Sequence, residues 1–302
     1  MLGGRRGREA GWYQLNPDSR AAAGVETDLR SALAAARSRL AEAGVASARN
    51  DAEELAAHLL GVRRGDLVRH DRIDAAGYEA LVARRVAREP LQHLTGVAHF
   101  RRVSVAVGPG VFVPRPETEV MVGAVVDFLA TLPPGARVVD LCTGSGVIAL
   151  SVVTEVPGTQ VHAVEVDPGA YDWATRNLAG TAVTLHLADA RTALAELDGT
   201  FDVVISNPPY IPMPAWESVT PEVRDHDPAA ALWSGEDGLD MMRAVVRRAA
   251  ELLRPGGLAV VEHAEVQAGS VPALFRGAGC WRAVADHKDL AGRDRFVTAV
   301  RV

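Results

Sequence analysis

The stretch ARVVDLCTGSG, residues 136–146, decides the fold. Its first six residues make a short, nearly continuous apolar run, and the chain then turns through Cys142-Thr143-Gly144-Ser145-Gly146 into a helical pattern. A continuous run, unlike an alternating one, suits a strand covered on both faces, as in a parallel sheet. Glycines in the following turn let the backbone fold tightly and approach a ligand, and the next helix offers its free N–H groups there.

Outward from this unit the pattern repeats. QVHAVEV (160–166), AVTLHLA (182–188), FDVVIS (201–206) and GLAVVEH (257–263) read as buried strands. Helical segments separate them, one at 168–179 with Asp167 as N-cap and Pro168 at the first helical position. Strand–helix repetition predicts an α/β, Rossmann-like domain over residues 115–302 with a mostly parallel sheet. Two more runs, around 281–287 and 295–302 and separated by Gly292, bring the sheet to seven strands through an antiparallel hairpin.

Upstream the period changes twice. In residues 97–114, Val103, Val105 and Val107 alternate, Gly108-Pro109-Gly110 turns the chain and Val111-Phe112-Val113 returns, which predicts a β-hairpin linker. Residues 27–96 carry three amphipathic stretches: Leu29, Leu33, Ala36 and Leu40 before Gly44; Leu55, Leu59 and Leu60 before Gly61; and Tyr78, Leu81, Val82 and Val86. These predict a small all-α domain. Residues 1–26 show no periodicity and read as a disordered lead-in.

Composition supports this plan. A chain of 302 residues with 48% hydrophobic and 23% charged residues can bury the cores of two domains. A net charge of −6 gives no global attraction to nucleic acid or an anionic membrane. Two cysteines, Cys142 and Cys280, point to a reducing compartment, and no apolar run approaches membrane-spanning length, so a cytoplasmic location is expected.

The candidate site lies where strands end. Gly144-x-Gly146-x-x-Ala149 meets the loose dinucleotide fingerprint, and Glu165 closes the next strand about 20 residues on, where a carboxylate can accept from ribose hydroxyls. Together they predict a nucleoside site without choosing between NAD and S-adenosylmethionine. Asp189 ends the third strand, placed either to accept the exocyclic amine of adenine or to cap a helix from Ala190. The fourth strand ends in Asn207-Pro208-Pro209-Tyr210. Proline fixes φ and holds the preceding residue extended, so Asn207 projects rigidly from the carboxyl edge. The Asn207 side-chain oxygen and the Pro208 carbonyl form a two-acceptor clamp suited to a planar –NH2 group, with Tyr210 offering a flat face beside it.

These residues resemble class I methyltransferases that modify a conjugated amino or amide nitrogen. Glu89-Pro90-Leu91-Gln92-His93-Leu94-Thr95-Gly96, Phe100 and Val113-Pro114-Arg115-Pro116-Glu117-Thr118-Glu119 narrow the likeness to the protein-(glutamine-N5) methyltransferases of peptide chain release factors. It runs from about residue 27 to the end. The resemblance implies S-adenosyl-L-methionine as cofactor, S-adenosyl-L-homocysteine as product, no metal, and release factors as partners with no direct nucleic-acid or membrane contact. It implies that Asp140, Cys142, Thr143, Gly144, Ser145 and Gly146 wrap the methionine part, that Glu165 meets the ribose, and that Asp189 and Ala190 meet the adenine. Asn207, Pro208, Pro209 and Tyr210 would hold the glutamine amide, Asn207 also touching the cofactor, with Phe100 and Arg115 bordering the transfer pocket and residues 27–96 gripping the substrate protein. Cys142 stands where the family commonly has Gly, and Glu165 where it commonly has Asp. His93 and His263 are read as structural hydrogen-bonders, and no general base is nominated. The rival readings are a ribosomal-protein glutamine methyltransferase, a DNA adenine-N6 methyltransferase, a cofactor-binding module without turnover and an NAD oxidoreductase.

Overall fold

The structure, a computed structural model, describes residues 25–302. Apart from Val25 and Glu26, the expected lead-in lies outside the described residues. The chain divides between Thr95 and Gly96 into two compact units.

The first unit contains β1 (Glu26–Asp28), α1 (Leu29–Glu42), α2 (Ala48–Leu60), β2 (Arg72–Asp74), α3 (Ala75–Val86) and α4 (Leu91–Thr95). Two helices begin at aspartate caps: Asp28 accepts from the Ser31 N–H and Asp74 from the Gly77 N–H. Gly61 ends α2 at φ 65°, a conformation that favours glycine. Leu40, Leu55, Ala56, Tyr78 and Val82 close a core belonging to this unit alone. Buried within it, the Arg85 guanidinium donates to Asp51 at 2.8 Å. The unit is not purely helical, because β1 and β2 pair antiparallel with Thr27 opposite Ile73. Three-residue strands are too short to leave a period in the sequence.

The second unit opens with β3 (Val97–Phe100) and β4 (Val103–Ala106), followed by α5 (Thr118–Leu129), β5 (Arg137–Leu141), α6 (Val147–Glu155), β6 (Gln160–Glu165), α7 (Pro168–Asn177) and β7 (Thr184–Leu187). Next come β8 (Phe201–Ser206), α8 (Pro221–His226), α9 (Ala229–Leu232), α10 (Asp240–Leu252), β9 (Leu253–Glu262), α11 (Ser270–Gly277), β10 (Trp281–Lys288) and β11 (Asp294–Arg301). The expected hairpin exists with different strands. β3 pairs with β4 through a turn at Arg101-Arg102, while Gly108-Pro109-Gly110 turns the chain without a returning strand. Arg101 sits at φ 48°, as a two-residue hairpin turn demands, and its guanidinium forks onto Glu155 at 2.6 and 2.8 Å.

Seven strands form one sheet in the order β10-β11-β9-β8-β5-β6-β7. Neighbours run parallel from β9 to β7, and β11 lies antiparallel between β10 and β9. Successive residues of a strand face opposite sides. Val138, Val203 and Ile205 accordingly pack with α5, α6 and α7, and Val139, Leu141 and Val204 with α10 and α11. Strand order reverses between β5 and β8, whose last residues Leu141 and Ser206 are in register. Open α/β sheets bind ligands at such a switch point, beyond the carboxyl ends. His263 is structural: its Nδ1 lies 2.8 Å from the Ala264 carbonyl and its Nε2 3.0 Å from Asp286.

Candidate active site

The turn after β5 is held by its own residues. Asp140, fully buried, accepts from the Thr143 hydroxyl at 2.5 Å, and the Thr143 N–H donates to the Val164 carbonyl at 2.9 Å. Cys142, Gly144 and Gly146 all take left-handed backbone, at φ 64°, 56° and 80°. For Cys142 this costs roughly 1–2 kcal/mol relative to glycine. Burial, with the Glu165 and Asp140 carboxyls nearby, pushes its thiol well above the usual range. The two glycines differ. A Cβ on Gly144 would meet open space, whereas one on Gly146 would press on the Leu178 side chain at 3.0 Å.

Glu165 ends β6 and is committed to this turn. One carboxylate oxygen accepts from the Gly144 N–H at 2.8 Å, and the other from the N–H groups of Val166 and Asp167, each at 2.9 Å. A carboxylate offers about four acceptor positions, so about one remains for a ligand hydroxyl rather than two. Asp189 is followed by a turn, not a helix: it accepts from the Arg191 N–H at 2.9 Å, and the Arg191 guanidinium lies 3.2 Å from its second oxygen. Asp189 thus caps a single turn, closed by the Ala193 N–H on the Asp189 carbonyl, with no α-helix following it.

Asn207 follows β8, and its Nδ2 donates to the hydroxyl of Thr118, at the start of α5, over 3.4 Å. Its Oδ1 is thereby left to act as an acceptor. Tyr210 is tied at both ends. Its hydroxyl donates to Glu262 at 3.2 Å, and its carbonyl accepts from Gln267 at 2.9 Å. Burial, then the adjacent Glu262 charge, pushes the Tyr210 phenol far up. Glu262 itself, at the end of β9 and 1% exposed, is raised by burial to about 7. Arg115 pairs with Asp227 at 2.5 Å and stands 4.8 Å above the Phe112 ring. Burial still pushes Asp227 up to about 6, against the pull of Arg115.

These groups surround one cavity of about 620 Å³, within the ~300–1,000 Å³ usual for small-molecule sites. Phe100, Arg115, Cys142 to Ser145, Glu165, Asp189, Ala190, Asn207, Pro209 and Tyr210 line it. Asp140, Gly146 and Pro208 are not in its lining, so a part for the Pro208 carbonyl rests on the backbone turn alone. The donor set fits a cofactor carrying both a ribose and a cationic centre: one open acceptor position at Glu165, a carboxylate at Asp189 and apolar walls. Sequence reading missed Phe112, Thr118, Trp233, Val219, Thr220 and Val223, which also line it. Thr118 lay inside a motif already singled out. The segment after Pro212 has no strong periodicity, and it returns when the Ile211 N–H donates to the Leu232 carbonyl and the Ser234 N–H to the Ile211 carbonyl. Among the described residues no cluster of three or more His, Cys, Asp or Glu could hold a metal ion, and no helix is long and apolar enough to cross a membrane.

The chain matches known protein families in both units. Residues 31–96 match the family model of the PrmC N-terminal domain, and residues 103–218 that of the methyltransferase small domain. The chain is 56% identical to the release factor glutamine methyltransferase of Streptomyces coelicolor, over 88% of this chain and 96% of that protein. Identity to the enzyme of the same name from Mycolicibacterium smegmatis is 48%, over 91% and 99%. It is also 41% identical, over 90% and 95%, to the 4-amino-L-phenylalanine/4-methylamino-L-phenylalanine methyltransferase of Streptomyces pristinaespiralis.

Proposed function

The chain belongs to the release factor glutamine methyltransferases, and on that footing we propose that it transfers the methyl group of S-adenosyl-L-methionine to the side-chain nitrogen (N5) of glutamine in the Gly-Gly-Gln loop of peptide chain release factors. The observation that carries the reading is the hydrogen bond of Asn207, a cavity-lining residue: its Nδ2 donates to Thr118, which leaves its Oδ1 to accept from a ligand. An amide –NH2 needs acceptors, and its lone pair is delocalised into the carbonyl.

Cys142 to Ser145, Glu165 and the Asp189-Ala190 pair would hold the cofactor, which supplies an electrophilic methyl group when bound. Asn207 Oδ1, with the Pro208 carbonyl, accepts the two amide hydrogens and orients the nitrogen. Positive charge grows on that nitrogen during transfer, so both bonds strengthen in the transition state, as catalysis requires. Tyr210 packs against the planar amide, and its ties to Glu262 and Gln267 keep it from swinging away. The methylated nitrogen is strongly acidic and loses a proton to water without a dedicated base. The partner is the release factor, with no nucleic acid or metal required. Two free cysteines suit work in the cytoplasm.

The test is mass spectrometry of a release factor incubated with labelled cofactor. Label should appear on the loop glutamine and disappear when that glutamine is replaced. Asn207→Ala should slow turnover by on the order of 10²–10³ while S-adenosylhomocysteine affinity holds. Label on a ribosomal protein, on DNA adenine or on free 4-amino-L-phenylalanine instead would assign a different substrate.

A further inference from the structure

The cavity wall holds a positive charge that the transfer described above does not use. Arg115 lines the cavity, and its guanidinium stands 4.8 Å above the ring of Phe112, which lines it too. The Arg115 carbonyl accepts from the Thr118 N–H at 3.2 Å, and the Thr118 hydroxyl accepts from Asn207 at 3.4 Å. The arginine is therefore rooted one turn from the amide clamp. Asp227 meets it from another wall. It follows α8, in the segment whose Val219, Thr220 and Val223 line the cavity, and its N–H donates to the Val223 carbonyl at 3.0 Å. One carboxylate oxygen accepts from Arg115 at 2.5 Å and the other from the Val113 N–H at 3.4 Å. The Asp227 side chain is wholly buried, whereas Arg115 keeps 28% of its side chain exposed.

We propose that Asp227 is a positioning residue for the methyl donor: acting through Arg115, it pins the guanidinium in the wall and cancels its charge, which lets the cavity accept a sulfonium cation. The inference rests on S-adenosyl-L-methionine being that donor. A guanidinium is not deprotonated in proteins, so the wall carries a fixed positive charge. The sulfonium carries another. At an effective dielectric constant of about 20, two unit charges ~10 Å apart still bias an equilibrium by roughly ten-fold, and by less where salt screens them. The spent thioether, S-adenosyl-L-homocysteine, is neutral and escapes that penalty. An uncancelled Arg115 would therefore favour product over donor, and the enzyme would be held by its own product. Burial pushes the Asp227 carboxyl up to about 6, against the pull of Arg115, which leaves it ionised above neutrality. Stacking on Phe112 keeps the guanidinium in the wall when the carboxylate charge is removed. Glu165 and Asp189 line the same cavity and attract the sulfonium, but they stay constant in the comparison below.

The test compares two ligands that differ by one methyl group and one charge. Kd is measured by calorimetry at about pH 8, where the carboxylate is ionised, for S-adenosylmethionine and for S-adenosylhomocysteine. Asp227→Asn keeps the size of the side chain and an acceptor for the Val113 N–H while removing the charge. It should raise the ratio of the S-adenosylmethionine Kd to the S-adenosylhomocysteine Kd by about 3- to 10-fold. Adding Arg115→Gln removes the stranded cation as well, and the ratio should return to within about two-fold of the parent. A merely structural role would weaken both ligands alike and leave the ratio where it was. A parent-like ratio in Asp227→Asn, or a raised ratio that persists in the double variant, overturns the proposal. Should Asp227→Asn fail to fold, Asp227→Ser, alone and with Arg115→Gln, carries the same two outcomes. A parent that binds neither ligand overturns the donor assignment and this inference with it. A parent that binds both, beside variants with an unchanged ratio, overturns this inference alone.

Discussion

Glu165 does two jobs at once, because the carboxylate that faces the cavity also anchors the Gly144 N–H of the adjoining turn. Glu165→Ala should therefore weaken S-adenosylhomocysteine binding by about 1.5–3 kcal/mol, roughly 10- to 100-fold, measured by calorimetry. Glu262 carries a pH prediction. Its ordinary value is 4.5, and in the folded protein burial raises it to about 7. Folding thus favours the protonated form. That stabilisation is complete below 4.5 and is lost as the pH rises through 7, so the parent should lose on the order of 1–3 kcal/mol from this group. Urea melts at both ends of the window should show a smaller loss for Glu262→Gln. Asp140, also raised to about 7, acts in the same sense and leaves a remainder in the variant. At this scale Asn207 was legible, because prolines beside a polar strand end leave few other readings. Glu262 was not, since its contact is with Tyr210, 52 positions away in the chain.

Among elements, the turn before α6 separates ligand effects from packing effects. Gly146 is at φ 80° and abuts Leu178 at the end of α7, so Gly146→Val should act chiefly on stability. A loss of about 1–3 kcal/mol, the usual scale of overpacking, should appear as a lowered Tm without ligand. Gly144→Ala adds a methyl in open space at φ 56°, costs roughly 1–2 kcal/mol of backbone strain, and is the cleaner probe of the cofactor site. Strand and helix identities were legible in this region because buried parallel strands are continuous apolar runs. The linker was legible only in part. Alternation over Val103 to Val107 marked a strand, but its partner is the upstream Val97–Phe100, joined through the turn at Arg101-Arg102, which carries no glycine to signal it.

At the scale of the molecule, the two units have separate cores: residues 29–94 supply one and residues 98–300 the others. A fragment of residues 96–302 should keep S-adenosylhomocysteine affinity within a few-fold while losing methylation of an intact release factor. A loop alone offers little area against the ~1,600 Å² of a standard interface. Cofactor affinity by calorimetry and label transfer by mass spectrometry check the two halves, and full methylation by the fragment would deny the helical unit any part in substrate capture.

The strand order also sets a sequence of events during synthesis. β11 is made after both of its neighbours, β9 and β10, yet it lies between them and supplies Phe296 opposite Glu262. A nascent chain emerging from the ribosome can assemble the parallel strands and the cofactor turn first, as domains fold while growing. The backing of Glu262, and with it the anchor of the Tyr210 hydroxyl, waits for the last strand to insert. A partly made chain should therefore acquire cofactor binding before it acquires methyl transfer, with β9 a temporary open edge in need of protection from other strands.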